Sequence, residues 1–237
     1  MTRKGYTMKQ YTHLLFDLDG TLFDFDAAER AAFYKTCEEF HLPYSPELMT
    51  TYTRINESYW KLFEQGKVTQ PELAVRRFAD LYDYLQINGD PVQTNLFYRR
   101  SLGESSTLFP DALPVCRKLS SKYTLAFITN GIADVQNRRL SGCPLMELTS
   151  HVFISEAIGS QKPQKQYFDY VYDKLSIKPS QALVIGDSLT SDILGAQNTN
   201  TDSCWYNPHN KQNTYAHIHP TFEISRLDQL LSFLLTE

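Results

Sequence analysis

Short apolar runs that end at polar or glycine-containing turns recur along the chain. The first of them, His13 to Phe16, is followed by the polar segment Asp17-Leu18-Asp19-Gly20-Thr21. Short runs of this kind, bounded by turn residues, are typical of strands that are buried on both faces of a sheet. Three more runs follow at 124–128, 182–185 and 203–206, and residues 152–154 form a shorter candidate. The pattern therefore predicts the buried strands of one sheet.

Helical patterns lie between these predicted strands. Pro110 and Pro163 each precede apolar residues that recur at intervals of three or four. Proline is common at a helix start, because the first turn makes no use of the N–H that proline lacks. The apolar positions of the last three helices are Leu113, Cys116 and Leu119, then Phe168, Val171, Tyr172 and Leu175, and finally Leu227, Leu230, Leu231 and Leu234. Strands that alternate with helices predict the α/β class, with a doubly wound parallel sheet.

The stretch from 24 to 103 breaks this alternation, because it contains no convincing strand. Apolar residues recur in it at helical spacing, from Leu48 to Leu62 and again from Val75 to Leu85. Asp26 and Glu29 have the spacing of a capping box for its first helix. The stretch therefore predicts a bundle of helices inserted after the first strand.

This insertion suggests two domains. We predict an α/β core domain formed by 1–23 and 104–237, and an all-helical cap domain formed by 24–103. Gly103, with Ser105 and Ser106 just after it, would permit a hinge in the second connection.

Composition and charge narrow the classes of partner. The chain has 237 residues and a net charge of −4. No global positive field is present to hold a nucleic-acid polymer, although a small anion such as a nucleotide could still bind. The cysteines stand singly, at 37, 116, 143 and 204, and the histidines show no metal-ligand spacing. A zinc site is therefore not supported, and we expect buried, reduced thiols.

Targeting features are also missing from the sequence. Arg3, Lys4 and Lys9 are not followed by the apolar segment of a secretory leader. No apolar run approaches the length of about 18 residues that a membrane span requires. We therefore expect a soluble, cytoplasmic protein without a membrane partner, and the sequence leaves its oligomeric state open.

Polar residues that suit one kind of reaction follow the predicted strands. Because the carboxyl ends of parallel strands meet at one edge of an open sheet, these side chains should converge there. They are Asp17, Asp19, Thr129, Asn130, Lys162, Asp187 and Asp192. We therefore expect carboxylates, a hydroxyl, an amide and one ammonium group in a common crevice.

This set of groups suits phosphoryl transfer. Carboxylates in one crevice repel each other, by about 4 kcal/mol for a pair 4 Å apart at an effective dielectric constant of 20. Oxygen ligands without histidine or thiolate suit a hard divalent cation such as Mg²⁺. Lys162 adds a positive charge, and Thr129 and Asn130 can donate hydrogen bonds. A metal, an ammonium group and neutral donors around a carboxylate nucleophile make a phosphoryl-transfer site.

The spacing of Asp17 and Asp19 supports this interpretation. Side chains two residues apart on an extended chain leave on the same side, so one carboxyl group could attack phosphorus while the other protonates the departing oxygen. A calcium-binding loop of the EF-hand type is the competing interpretation of Asp-x-Asp-Gly. It requires glycine at its sixth position, whereas Gly20 would be the fourth.

In this order, the motifs resemble those of the haloacid dehalogenase superfamily. The resemblance covers the whole chain and implies a Rossmann-like core with a helical cap inserted after the first motif. It implies that Asp17 is the nucleophile and a Mg²⁺ ligand, and that Asp19 is the general acid and base, with its backbone carbonyl on the metal. It further implies that Thr129 and Lys162 hold the phosphoryl group. By the same resemblance Asp187 binds the metal, and Asp192 supports it directly or through water.

A finer resemblance is to the pyrimidine 5′-nucleotidase branch of this superfamily. It depends on the Thr129-Asn130-Gly131 form of the second motif and on the segment Trp205-Tyr206-Asn207-Pro208. It implies a nucleoside 5′-monophosphate as the substrate. A phosphatase of phosphoglycolate or of a sugar phosphate, a phosphomutase, and a non-enzymatic phosphate-binding scaffold remain alternatives. A haloacid dehalogenase has no need of the second carboxylate, Asp19.

Several cap residues could contact such a substrate. Helical spacing favours the interpretation that the aromatic residues form the core of the bundle. We expect the arginines to be solvated or to form salt bridges. These residues are Tyr52, Tyr59, Trp60, Arg76, Arg77, Arg99 and Arg100.

Overall fold

The computed structural model describes residues 11–235. The prediction that no secretory leader is present concerns residues that lie mostly outside this range. Among the described residues, the strands are β1 (His13–Asp17), β2 (Thr124–Thr129), β3 (Val152–Ile154), β4 (Ala182–Gly186), β5 (Asp202–Tyr206) and β6 (Phe222–Ile224). They form one parallel sheet in the order β3-β2-β1-β4-β5-β6. The predicted parallel sheet is confirmed.

The first strand lies at the centre of this sheet. Phe16 is opposite Phe127 of β2 on one side and Ile185 of β4 on the other. Successive side chains of a strand point to opposite faces. Leu14 and Phe16 accordingly belong to the apolar cluster on one face of the sheet, and Leu15 belongs to the cluster on the other. Both faces are therefore buried, as the continuous apolar run predicts.

The core helices cover these two faces. They are α5 (Ala112–Leu119), α6 (Ala133–Leu140), α7 (Ser155–Ile158), α8 (Lys165–Leu175), α9 (Leu194–Asn198) and α10 (Gln229–Leu234). Three helix starts differ from the prediction. The helices α5 and α8 begin two residues after Pro110 and Pro163, and α10 begins after Leu227. The strand β6 was not predicted, because it has only three residues and one of them is Glu223.

The inserted stretch is helical, as predicted. It contains α1 (Phe25–Glu39), α2 (Pro46–Glu64), α3 (Gln70–Leu85) and α4 (Pro91–Gly103), which we call the cap helices. The predicted capping box of the first helix is wrong. Asp24 is the N-cap, and its side chain accepts a hydrogen bond from the Ala27 N–H. A capping box is present instead at α3, between Thr69 and Glu72.

Aromatic rings form much of the apolar core of the cap helices. Tyr52 is completely buried between Phe33 and Phe78, with ring centroids 4.3 and 5.4 Å away. Val135 of α6 and Ile132, the residue just before this helix, belong to the same apolar cluster. The cap helices therefore pack on the core through a continuous apolar contact. The exact limits of the two domains stay a prediction.

The predicted roles of the cap arginines are only partly right. Arg76, Arg99 and Arg100 form salt bridges, with Glu72, Asp134 and Glu104 respectively. Arg77, however, is buried rather than solvated, and its guanidinium lies 4.7 Å from the ring centroid of Tyr98.

Two further expectations concern the whole chain. The four cysteines are buried and unbridged, as predicted. In residues 11–235 none of the helices combines the length and the apolar character that crossing a membrane requires.

Candidate active site

Three carboxylates meet at the carboxyl edge of the sheet. Asp17 ends β1, Asp187 follows β4, and Asp192 lies one turn further along. One oxygen atom of each lies within 4.8 Å of the others. Asp192 is fully buried and Asp17 nearly so. The convergence expected from the strand ends is therefore present in the structure.

Lys162 lies among these carboxylates and is itself buried. Its Nζ donates hydrogen bonds to Asp17 Oδ1 at 2.6 Å, to Asp192 Oδ1 at 2.7 Å and to the Ile128 carbonyl at 3.2 Å. Burial alone would lower the pKa of Lys162, but the charges of Asp17 and Asp192 outweigh it and raise the pKa. The ammonium group therefore stays charged.

The pKa values of Asp17 and Asp187 are raised as well, which favours the neutral form of each carboxyl group. Burial raises the pKa of Asp187 to about 7, with a further contribution from the Asp192 charge. Burial also raises the pKa of Asp17, as do the charges of Asp192 and Asp187, while Lys162 opposes the change. One ammonium group does not neutralise three crowded carboxylates, so the cluster favours either protons or a cation.

Close backbone approaches hold two of the carboxylates in place. Gly20 has a φ of +85°, and a Cβ on it would lie 2.8 Å from Asp187 Oδ2. A Cβ on Gly186 would lie 2.2 Å from Asp192 Oδ2. A side chain at either glycine would displace a carboxylate, so the two glycines make room for the cluster.

The carboxylate cluster fits a hard divalent cation. Both oxygens of Asp192 already accept hydrogen bonds, from Lys162 Nζ and from the Ser188 N–H. A cation would therefore take its direct carboxylate ligands first from Asp17 and Asp187, with Asp192 in support. The ligand atoms are all oxygen, which suits Mg²⁺.

Asn130 lies beside Lys162, and its amide holds the main chain there. Asn130 Nδ2 donates to the Lys162 carbonyl at 2.8 Å, and the Lys162 N–H donates to Asn130 Oδ1 at 2.9 Å. Thr129 is buried at the end of β2, and its Oγ1 accepts a hydrogen bond from the Gly131 N–H. The structure thus brings Thr129, Asn130 and Lys162 to the same edge as the carboxylates.

The segment after β4 is held by Trp205, which lies near the end of β5. Trp205 Nε1 donates to the Asp187 carbonyl at 2.9 Å, and the Asp187 N–H donates to Thr21 Oγ1 at 3.1 Å. Asn207 in turn fixes the following loop, because its side chain binds both the N–H and the carbonyl of Lys211. Trp205 therefore helps to position Asp187, and Asn207 positions Lys211.

Asp19 is in the same crevice, but its carboxylate binds groups that the sequence did not indicate. Gln136 Nε2 donates to Asp19 Oδ2, and Arg139 Nη1 donates to Asp19 Oδ1. Both residues belong to α6 and are buried. Their separation of three residues places them on one helix face, but only the tertiary structure shows that this face meets Asp19.

A cavity connects this edge of the sheet with the cap helices. The part over Asp17 and Lys162 has a volume of about 250 Å³, and a wider cleft of about 450 Å³ adjoins it. Phe25 and Trp60 line both parts. On the cap side the wider cleft is also lined by Glu29, Thr53, Asn56 and Glu57, and on the core side by Lys211, Gln212, Thr214 and Tyr215. The sequence indicated Trp60 as a possible substrate contact, but none of these other residues that line the cleft.

Comparison with known proteins places this geometry in a family. The chain is 37% identical to the HAD-hydrolase YfnB of Bacillus subtilis over 231 residues, which cover 97% of this chain and 98% of YfnB. It is 34% identical to the pyrimidine 5′-nucleotidase PynA of Streptococcus pneumoniae, covering 94% of this chain and 95% of PynA. A crystal structure of YfnB bound to magnesium superposes with a TM-score of 0.91, covering 96% of this chain and all of that one.

The family model for haloacid dehalogenase-like hydrolases matches residues 14–206. This range begins in β1 and ends with β5, so it contains the carboxylates, Lys162 and the cap helices. The chain belongs to the haloacid dehalogenase-like hydrolase family.

Proposed function

We propose that the protein is a Mg²⁺-dependent phosphatase that hydrolyses pyrimidine nucleoside 5′-monophosphates through a phosphoryl ester on Asp17. The observation that carries this proposal is the group formed by Asp17, Asp187, Asp192 and Lys162 at the base of the cleft. It combines a carboxylate nucleophile, candidate metal ligands and a fixed positive charge.

In the first step, an oxygen of the Asp17 carboxylate attacks phosphorus. The bond between phosphorus and the ester oxygen breaks, and protonated Asp19 gives its proton to that oxygen, so the free nucleoside leaves. Lys162 holds Asp17 by a 2.6 Å hydrogen bond and offers positive charge to the phosphoryl oxygens. In this proposal Thr129 donates its hydroxyl proton to the same oxygens.

In the second step, water attacks the phosphorus of the Asp17 ester. Asp19 accepts the proton of that water, and the bond from phosphorus to the Asp17 oxygen breaks. Inorganic phosphate leaves, Asp17 is again a carboxylate and Asp19 is again protonated. When bound, Mg²⁺ would polarise the phosphoryl oxygens and offset the charge that develops on them. Asp17 and Asp187 would hold it, with the Asp19 carbonyl and Asp192 in support.

The charges that line the wider cleft support a substrate that is uncharged at the end remote from its phosphate group. Six carboxylates and two lysines line the cleft as a whole. They are Asp19, Asp26, Glu29, Glu57, Glu64 and Asp187, with Lys61 and Lys211. A second anionic group, such as the carboxylate of phosphoglycolate, would be repelled there. A nucleoside is neutral, and its base could stack on Trp60 or Phe25, which contributes about 1–3 kcal/mol per base. The similarity to PynA supports a pyrimidine base.

The test compares kcat/KM for UMP, dTMP, AMP, phosphoglycolate and glucose 6-phosphate at one Mg²⁺ concentration. We expect UMP and dTMP to exceed the other three, because pocket width must separate pyrimidines from purines while every base can stack. Phosphoglycolate or glucose 6-phosphate ahead by tenfold would contradict the nucleotidase proposal and leave the phosphatase proposal intact.

A matched pair of variants tests the role of the cap. Trp60→Leu should lower kcat/KM for UMP about tenfold, since the stacking surface is lost. Tyr84→Leu removes an exposed aromatic ring of the same cap and should leave kcat/KM unchanged. If the two variants behave alike on UMP, Trp60 does not contact the base.

A further inference from the structure

Two side chains of α6 hold the carboxylate of Asp19. Arg139 Nη1 donates to Asp19 Oδ1, and Gln136 Nε2 donates to Asp19 Oδ2. The two donors lie three residues apart on one helix face. Each carboxylate oxygen therefore receives a hydrogen bond from the same element, which restricts rotation of the carboxylate.

Arg139 also contacts both chain connections between the core and the cap helices. Its Nε donates to the Ser105 carbonyl at 2.9 Å, and its guanidinium lies 4.3 Å from the centroid of the Phe23 ring. Phe23 lies between β1 and α1, and Ser105 lies between α4 and α5. One fully buried guanidinium thus joins Asp19 to the start and the end of the cap insertion.

Gln136 connects the same carboxylate to β2. Its Nε2 donates to Thr129 Oγ1 at 3.2 Å as well as to Asp19. Gly131 makes this possible, because a Cβ on it would lie 2.1 Å from Gln136 Nε2. Gln136 therefore fixes Asp19 relative to a hydroxyl that faces the phosphoryl site.

This arrangement is not the one that maximum stability would favour. Within residues 11–235, Gln136 Oε1 and Arg139 Nη2 are buried without a hydrogen-bond partner. A buried polar group without a partner costs about 1–3 kcal/mol, and a buried guanidinium is costly even when it is paired. The positioning of Asp19 would explain why the protein keeps an arrangement that lowers its stability.

We propose that Arg139, together with Gln136, is a positioning residue for the acid–base carboxylate Asp19, and that Arg139 ties the orientation of this carboxylate to the two cap connections. The proposal rests on the acid–base role of Asp19 in the proposed function. Proton transfer requires the carboxyl oxygen within about 2.6–3.2 Å of the ester oxygen, so a carboxyl group free to rotate would transfer its proton less often. The planar guanidinium makes three directed contacts, which an ammonium group could not reproduce.

The experiment compares two aryl esters that differ in their need for a proton. Phenolate requires protonation on departure far more than p-nitrophenolate does. In Arg139→Met and Gln136→Met, turnover of phenyl phosphate should fall about 10- to 100-fold, within the range contributed by acid–base catalysis, while turnover of p-nitrophenyl phosphate changes little. KM should stay near the wild-type value for both esters. Arg139→Lys should show the same split, because it keeps the charge but not the directed contacts.

A neighbouring residue gives the matched control. Arg138 is exposed on the same helix, so Arg138→Met should leave the ratio of the two turnover numbers unchanged. An equal loss on both esters in the Arg139 and Gln136 variants, or the same split in Arg138→Met, would overturn the proposal. Thermal melting identifies any variant that is unfolded; Gln136→Met and Arg139→Lys decide the question if Arg139→Met does not fold.

Asp19→Asn separates this proposal from the proposed function. Suppose that Asp19→Asn loses more turnover with phenyl phosphate than with p-nitrophenyl phosphate, and that neither Arg139 variant does so. This result contradicts the positioning role alone. No split in Asp19→Asn contradicts the acid role of Asp19, on which the positioning role depends. A wild-type enzyme that hydrolyses both aryl esters but not UMP contradicts only the nucleotidase proposal. Adding Arg139→Met to Asp19→Asn should not change the ratio further, because both act on one proton transfer.

Discussion

Two buried polar networks lie on opposite sides of the cleft, one in the sheet core and one in the cap helices. In the core network Lys162 contacts Asp17 and Asp192 directly, and Asp187 completes a group of three carboxylates. In the cap network a single carboxylate and a single guanidinium are bridged by an amide. Asn56 donates to Glu29 at 2.6 Å and accepts from Arg77 at 2.9 Å.

The two networks differ in charge balance. When all three carboxylates are ionised, one ammonium group leaves two negative charges uncompensated in the core network. In the cap network one carboxylate is matched by one guanidinium, and Asn95 accepts a further hydrogen bond from Arg77. A buried network with balanced charges can hold helices together. A buried excess of negative charge instead favours the binding of a cation. A divalent cation carries the charge that the core network lacks.

The largest expected difference between the networks is in catalysis. Asp17→Asn keeps the shape of the side chain but removes the charge that attacks phosphorus, so turnover should fall at least about 10³-fold. Asp173→Asn, at an exposed position of α8, is the matched control and should be near normal. Steady-state kinetics measures both. Near-normal turnover of Asp17→Asn would rule out the covalent mechanism.

Removal of the metal should have a comparable effect. Exhaustive treatment with EDTA should abolish activity, and Mg²⁺ should restore it. Ca²⁺ should restore it poorly, because Ca²⁺ prefers more ligands at longer distances and would disturb the attack by Asp17. Full activity after chelation would contradict the assignment of the core network as a metal site.

Breaking the cap network should affect stability instead of chemistry. Arg77→Met leaves Glu29 buried without its positive partner, and should lower the free energy of unfolding by about 3 kcal/mol or more. Arg76→Met, at the exposed neighbour paired with Glu72, should change it by less than about 1 kcal/mol. Chemical denaturation measures both variants. We expect folded Arg77→Met to turn over p-nitrophenyl phosphate at a near-normal rate. A loss of turnover as large as that of Asp17→Asn would contradict the purely structural role of the cap network.

The smallest effect is a pH dependence of stability in the metal-free protein. The pKa of Asp187 is raised to about 7 in the folded protein, mainly by burial, whereas an unfolded aspartate titrates near pH 3.9. Between these values the folded state binds more protons than the unfolded state, so stability falls as the pH rises. Relative to Asp187→Asn, wild-type protein should lose Tm by a few degrees from pH 5 to pH 8.

Mg²⁺ should reverse this trend, because the cation binds the deprotonated cluster. The increase in Tm on adding Mg²⁺ should therefore be larger at pH 8 than at pH 5. Thermal melts of both proteins at the two pH values, with and without Mg²⁺, provide the measurement. A wild-type Tm that rises with pH relative to Asp187→Asn would contradict the proposed balance of charge.

Local pattern was sufficient for much of the fold and for the central groups of the site. The apolar runs located β1 to β5, because a strand buried on both faces must be apolar along its length. The polar residues after those runs predicted that Asp17, Asp187 and Lys162 lie close together, because parallel strands bring their carboxyl ends to one edge. The strand β6 has no such run, and its pairing with β5 appears only in the sheet.

Residues with two possible environments could not be assigned in this way. Asp26 and Glu29 have capping-box spacing, yet Asp24 caps the helix and Glu29 is buried against Thr53 and Asn56. Arg77 was expected to be solvated or salt-bridged, because charged residues are usually exposed. Its burial depends on Asn56 and Asn95, which come from other helices of the cap.

The sequence by itself determined the α/β alternation, the helical insertion and the groups at the strand ends, because these depend on periodicity and on the direction of parallel strands. Tertiary structure alone decided which side chains hold those groups. Arg139 lies 120 residues after Asp19 and pairs with it because the tertiary structure brings α6 to this residue. The cleft lining likewise joins cap helices to the loop after β5. Contacts between distant segments depend on how whole elements pack, and no local pattern encodes that packing.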